Sequence, residues 1–133
     1  MCGEEHKSKV LELNRVVLVN NRPNEASLLV ARSIALLPKP KVLVSYADTA
    51  YDHVGYVYQA TNWLYTGATK PRTDIATVNG KHPRHHAGDR TKRVYRSAKH
   101  RYVYMHGNKK DKRLLTKCLR YGTEAYPKKE IIQ

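Results

Sequence analysis

No apolar run in the sequence approaches the roughly 18 residues that span a bilayer, which excludes a helical membrane protein. The opening Met1-Cys2-Gly3-Glu4-Glu5-His6 has no basic-then-apolar order of a secretory signal, so a cytoplasmic chain without membrane contact is expected. Cysteine is scarce: Cys2 and Cys118 stand near opposite ends without metal-ligand spacing, so reduced thiols are expected rather than a disulfide framework or a zinc site. Acid is scarce where base is plentiful. Residues 1–66 carry seven Lys/Arg against six Asp/Glu, whereas the remainder carries 18 against 5, so nearly all of the formal +14 lies in the second half. A near-neutral half joined to a concentrated cationic one suggests a core plus a surface for a polyanion, because each neutralised phosphate releases counterions. A merely soluble basic surface is the plainer reading.

What is present fits a single domain of 133 residues with one modest core. The aliphatic run from Val10 to Val19 predicts a buried strand. Asn20-Asn21-Arg22-Pro23 breaks it. Asn24 then stands as an N-cap ahead of Leu28, Leu29, Ala31, Ile34, Ala35 and Leu37 at helical spacing, and Pro38 and Pro40 end that helix. Residues 41–48 read as a second strand, 49–61 as a weaker helix interrupted by Gly55, and 63–67 as a third strand. Strand, helix, strand, helix, strand predicts a mixed α/β fold with a largely parallel sheet, in which ligands bind near the carboxyl ends of strands. Farther on, Asn79-Gly80 marks a hairpin turn after a strand at 74–78, residues 81–93 form a basic arm, 101–106 a strand, and Asn108 caps a basic helix running to about Tyr121.

Several residues invite a functional reading. The loop into Asn24-Glu25-Ala26-Ser27 places free amides and the positive end of a helix where an anion such as a pyrophosphate would fit, with Arg22 and Ser27 as further contacts. Asp48, at a strand end, is either a carboxylate for a substrate amine or the cap of the next helix. Arg15 in an apolar strand needs a partner, which Glu12 or a ligand supplies. His53 beside Asp52 is a proton carrier or a capping group. His82, His85 and His86 have no carboxylate or cysteine at chelating spacing and read as a phosphate-facing loop, so no metal is expected. Aromatics alternating with cations, as in Arg93-Val94-Tyr95-Arg96 and His100-Arg101-Tyr102, combine phosphate attraction with base stacking, or simply pack on a core.

The stretch Tyr58-Gln59-Ala60-Thr61-Asn62-Trp63-Leu64-Tyr65-Thr66-Gly67 resembles GNAT-type acyltransferases, in which a tyrosine-bearing helix turns into an aromatic residue and a strand ending in glycine. Asn62-Trp63 stands where many members have Gly-Phe, and the likeness covers residues 9–67. Within that superfamily, several blocks look like the phage Mom-type DNA-modification proteins: Leu13-Asn14-Arg15, Asn24-Glu25-Ala26-Ser27, Ser45-Tyr46-Ala47-Asp48, His53-Val54-Gly55 and Lys99-His100-Arg101-Tyr102-Val103-Tyr104. The resemblance implies a GNAT-like central sheet with flanking helices. Residues 9–67 would form the cofactor-binding core, 68–100 a basic loop or arm, and 101–133 a strand, basic helix and tail. It implies transfer of an acyl-derived group to the exocyclic amine of adenine in double-stranded DNA, protecting phage DNA from host restriction, with acetyl-CoA or a related donor. Tyr58 would be the general acid and Asp48 its catalytic companion. Arg15, Leu18, Val19, Arg22, Asn24, Glu25, Ala26, Ser27 and Asn62 would hold the cofactor, with an amide near Leu18 or Val19 as oxyanion donor. Arg84, Arg90, Lys92, Arg93, Arg96, Lys99 and Arg101 would meet DNA, whose target base would be flipped out of the duplex. Two departures from the pattern stand out. Asn20-Asn21-Arg22-Pro23-Asn24 replaces the usual glycine-rich loop, and the strands that usually precede residue 9 have no counterpart; a homodimer or a neighbouring chain is one way to supply them, which the sequence leaves open. A non-enzymatic basic nucleic-acid-binding protein with a GNAT-like shell is the alternative.

Overall fold

The computed structural model describes residues 1–75 and 93–129. Strands β1 (Val10–Glu12), β2 (Lys41–Asp48), β3 (Leu64–Ala68) and β6 (Lys99–His106) form a mixed sheet in the order β1-β2-β6-β3, while β4 (Arg72–Ile75) and β5 (Arg93–Arg96) make a separate antiparallel ribbon. Only β1 and β2 run parallel; β6 inserts between β2 and β3 and is antiparallel to both. This corrects the expectation of a largely parallel sheet. The long pairing of β6 with all eight residues of β2 claims the edge that β3 would otherwise take.

Strand alternation divides the core into two layers, since successive side chains point to opposite faces. Val42 and Val44, with Val103 and Met105, pack against Cys2 and Leu115. Leu43 and Tyr102 face the other way, against Val30, Ile34, Trp63 and Tyr65. The first layer is covered by a 3-10 turn (Glu4–Lys9) and α3 (Lys109–Cys118), the second by α1 (Glu25–Ala35) and α2 (Tyr56–Ala60).

The run from Val10 to Val19 is not the buried strand its composition predicts. Leu13 N still donates to Val44 O at 2.9 Å, but the Ser45 hydroxyl then donates to Leu13 O at 2.7 Å, and beyond this point the chain leaves the sheet. Val17 is 71% and Val19 94% exposed, so apolar content here marks an edge rather than a core. The helix expected over 49–61 is likewise divided into a 3-10 turn (Thr49–Tyr51) and α2, because Asp52 and Gly55 adopt left-handed backbone (φ 55° and 83°) between them. α3 begins where expected, with a reciprocal capping box between Asn108 and Asp111, and ends at Cys118 rather than Tyr121. β4 pairs with residues 93–96, Ile75 standing opposite Arg93, rather than with the residues directly after Asn79-Gly80 as expected; that turn itself lies outside the described residues.

Candidate functional site

The site begins at the first turn of α1. Asn24 occupies the N-cap position with left-handed backbone (φ 62°) and no side-chain capping bond, and Asn21 is also left-handed (φ 46°). Asparagine tolerates this conformation better than most residues, so the two asparagines give the loop the bend that glycine supplies elsewhere. Glu25 N is taken by Arg22 O at 3.1 Å, and Arg22 N donates to the Glu25 carboxylate at 2.8 Å. Among the described residues the amides of Ala26 and Ser27 have no hydrogen-bond partner. Two unpaired donors at the positive end of a helix suit an anion. Asn24→Gly is expected to leave stability within a few tenths of a kcal/mol, whereas Asn24→Val should cost about 1–2 kcal/mol through left-handed strain. Denaturant unfolding of the two variants checks this.

Open grooves surround that turn. One of about 490 Å³ runs between the loop and α2, lined by Asn21, Arg22, Pro23, Asn24, Ala26 and Ser27 on one side and by Tyr56, Val57 and Ala60 on the other. A second, about 380 Å³, follows α1 past Ser27, Leu28, Ala31 and Ile34 to Ala60, Thr61, Asn62 and Tyr104. Glu25 borders a third groove with Asn20 and Leu28. Arg22, Asn24, Glu25, Ala26, Ser27 and Asn62 are thus brought together around adjoining grooves. Arg15, Leu18 and Val19 line none of them; Arg15 is exposed and makes no ion pair with a described residue.

Tyr58 lies in the core layer beneath α1, its ring 5.0 Å from Trp63 and 5.3 Å from Tyr102 between centroids. Its hydroxyl is 2.7 Å from Ser45 Oγ, which is itself 2.7 Å from Leu13 O. A carbonyl can only accept, so the single Ser45 proton goes to Leu13 and Tyr58 donates to Ser45 Oγ. This chain of groups stands at the fork where the chain leaves β1 while β2 continues. The groove along α2 is lined by the neighbours Tyr56 and Val57 instead of Tyr58. Buried Trp63, beside Tyr58, keeps an indole N–H with no partner among the described residues.

Asp48 does not join this group. Its carboxylate accepts from Ala50 N at 2.9 Å and from the Ser97 hydroxyl, capping the Thr49–Tyr51 turn. Three residues along a regularly paired strand, it points to the face opposite Ser45. The Ser97 and Ala50 hydrogen bonds, with smaller help from Lys99 and His53, hold its pKa below the usual carboxylate value. On β6, Arg101 is anchored: Nε donates to Thr66 Oγ1 at 2.9 Å, a terminal nitrogen donates to Thr66 O at 3.1 Å, and the guanidinium lies 3.5 Å over the Tyr121 ring. Arg93, Arg96 and Lys99 are exposed, with Arg96 Nε 3.2 Å from Asp74; Arg84, Arg90 and Lys92, like His82, His85 and His86, lie outside the described residues.

His100 on β6 lies 2.8 Å from the Tyr65 hydroxyl through Nδ1, and burial pushes its pKa below the ordinary 6.5. The unfolded chain therefore binds this proton more readily, and the folded state loses stability as pH falls below about 6.5. Melting midpoints measured from about pH 8 down to about pH 5 should decline in the lower half of that range, and His100→Gln should flatten the decline. An equally steep decline in the variant would assign it to other groups.

Residues that the sequence did not single out are Tyr56, Val57 and Ala60 in the groove wall and Ser45 as the partner of Tyr58. Ser45 had a legible signal. A hydroxyl inside the apolar run Val42-Leu43-Val44 and only 1% exposed must find a hydrogen-bond partner.

A mixed four-stranded sheet with flanking helices defines a mixed α/β protein, and no described helix is long and apolar enough to cross a membrane. A family model described as the Mom protein family matches residues 1–128, and the chain belongs to that family, a phage DNA-modification group. No curated protein matches it.

Proposed function

We propose that the protein is a DNA-modifying acyltransferase that acts on the exocyclic amine of adenine. The observation that carries this reading is the placing of the Tyr58 hydroxyl, fixed by Ser45 at the strand fork, in the layer beneath a helix whose first-turn amides are unpaired. Those amides and the Arg22 guanidinium fit a pyrophosphate, and the adjoining grooves leave room for an extended ligand, so the residues suit a coenzyme A thioester. When bound, such a group would supply the activated acyl carbon. Ala26 N, Ser27 N and Arg22 would hold its phosphates. Tyr58 Oη would supply the proton that a departing thiolate requires and be restored by the proton the attacking amine gives up, and Ser45 Oγ orients that hydroxyl. Asp48 takes no step in this reading. Exposed cations of the second half would contact phosphates and hold the duplex.

Incubation of the protein with duplex DNA and acetyl-CoA, followed by nucleoside mass spectrometry, is expected to give a heavier deoxyadenosine. Unmodified deoxyadenosine, together with no saturable coenzyme A affinity, would remove the transferase reading. A second reading, a basic nucleic-acid-binding protein with an inactive shell, is favoured by one observation: Tyr58 does not line the grooves. It predicts salt-dependent DNA binding with no product.

A further inference from the structure

The first residues of the chain meet the segment that follows α3. Arg120 N donates to Met1 O at 3.0 Å, and Cys118, closing α3, packs on the core cluster that contains Cys2. Beside Cys118 lies the turn Glu4–Lys9, whose His6 is only 8% exposed and holds Nε2 3.0 Å from Glu5 Oε1. A carboxylate oxygen of Glu5, a ring nitrogen of His6 and Cys118 Sγ all lie within 4.8 Å of one another. We propose that Glu5, His6 and Cys118 bind a divalent cation of the zinc class, remote from the grooves described above, and that the ion fastens the first turn of the chain to the end of α3.

The donor set selects the metal. One thiolate, one imidazole and one carboxylate suit a borderline-soft tetrahedral ion, whereas calcium and magnesium require oxygen ligands. Two ligands on such an ion stand roughly 3.4 Å apart, given metal–nitrogen and metal–oxygen bonds of about 2.0–2.2 Å. Glu5 and His6 are already near that spacing, and Cys118 needs only a side-chain adjustment to close the triangle. Glu5 is 82% exposed, so the fourth position opens to solvent on its side. The ligands come from opposite ends of the sequence, which is why spacing along the chain argues against a metal while the fold assembles one.

A plain hydrogen bond from His6 to the Glu5 carboxylate is the competing account, and Lys9 separates the two. Its Nζ lies 3.2 Å from His6 Nδ1. An ammonium only donates, so Nδ1 must accept, leaving Nε2 as the N–H that donates to Glu5. A metal on Nε2 requires the reverse, with the proton on Nδ1. Lys9 and the metal are therefore in competition. Glutamine at position 9 removes the charge and offers a carbonyl to the Nδ1–H, so Lys9→Gln should tighten metal binding, an effect with no counterpart for a simple hydrogen bond.

Cobalt(II) titrated into the reduced, purified full chain is the test. Expected is one equivalent giving the d–d bands of a tetrahedral ion and a thiolate-to-cobalt charge-transfer band. Cys118→Ser should abolish the charge-transfer band with circular dichroism unchanged, His6→Gln should weaken affinity at least about tenfold, and Lys9→Gln should strengthen it several-fold. Cobalt held by His82, His85 and His86 would show no thiolate band. Absence of that band with both thiols reduced, or a band that survives Cys118→Ser, overturns the proposal. Should Cys118→Ser fail to fold, a cobalt titration midpoint of that band raised at least about tenfold in His6→Gln supports the site, and an unchanged midpoint there refutes it.

Discussion

Tyr58→Phe is expected to lower DNA-modification turnover by about 10²- to 10⁴-fold, the range over which a positioned proton donor accelerates a reaction. The change removes one oxygen and keeps the ring between Trp63 and Tyr102. Ser45 Oγ still donates to Leu13 O, so stability should fall by no more than about 1 kcal/mol. DNA affinity and its salt dependence should stay as they are, since neither depends on a hydroxyl inside the core layer. Mass spectrometry of digested product DNA, read beside a binding isotherm, separates the effects. Undiminished turnover would exclude Tyr58 as the acid; undetectable turnover in both proteins would favour the binding reading. Ser45→Ala is the companion variant, and a loss smaller than that of Tyr58→Phe is expected from a group that only orients the hydroxyl.

Gly55→Ala should be the most damaging glycine-to-alanine change among the described residues. A Cβ at this position would lie 2.4 Å from Tyr102 Cε2 and 2.9 Å from its Cζ. The backbone there is also left-handed, at φ 83°. Tyr102 cannot easily retreat: it is 0% exposed, its hydroxyl donates to Val54 O, and Gln59 Nε2 donates to it at 3.0 Å. Left-handed strain of about 1 kcal/mol and overpacking of about 1–3 kcal/mol together approach 2–4 kcal/mol. For a domain of this size that is a large share of total stability. Urea unfolding should show the midpoint falling at nearly constant slope. A variant as stable as the parent would mean that Tyr102 has an alternative resting place.

Local signals in the sequence located the elements best where chemistry is self-contained. Asn108 with Asp111 three residues on announces α3, and Pro38 with Pro40 closes α1. The aliphatic run Val42-Leu43-Val44 reads as a central strand and is one, buried on both sides. Long-range partnership was not legible. Nothing local reveals that β6 enters between β2 and β3, because hydrogen-bond ladders are chosen by the whole sheet. For the same reason residues 14–19, as aliphatic as β2, form no strand: they have no ladder to join once Ser45 takes Leu13 O, and of these Val16 still packs on the core while Val17 and Val19 are exposed. Near the candidate site, turn chemistry made the N-cap position of Asn24 legible, whereas the groove walls supplied by α2 depended on how two helices lie over one sheet face. Its neighbours in sequence suggest a DNA contact for Arg101; Thr66 and Tyr121, which immobilise it, come from elsewhere in the chain.

The small ribbon of β4 and β5 has one further implication. Arg72 and Arg96, on opposite strands, share the single carboxylate of Asp74, at 3.4 and 3.2 Å. Two strands alone are barely stable in water, and pairs this exposed are screened by added salt. Ionic strength would then act twice on this appendage, weakening its attraction for a polyanion and slackening the rein that keeps its arginines in line. Association should fade more steeply with salt than a count of phosphate contacts would suggest.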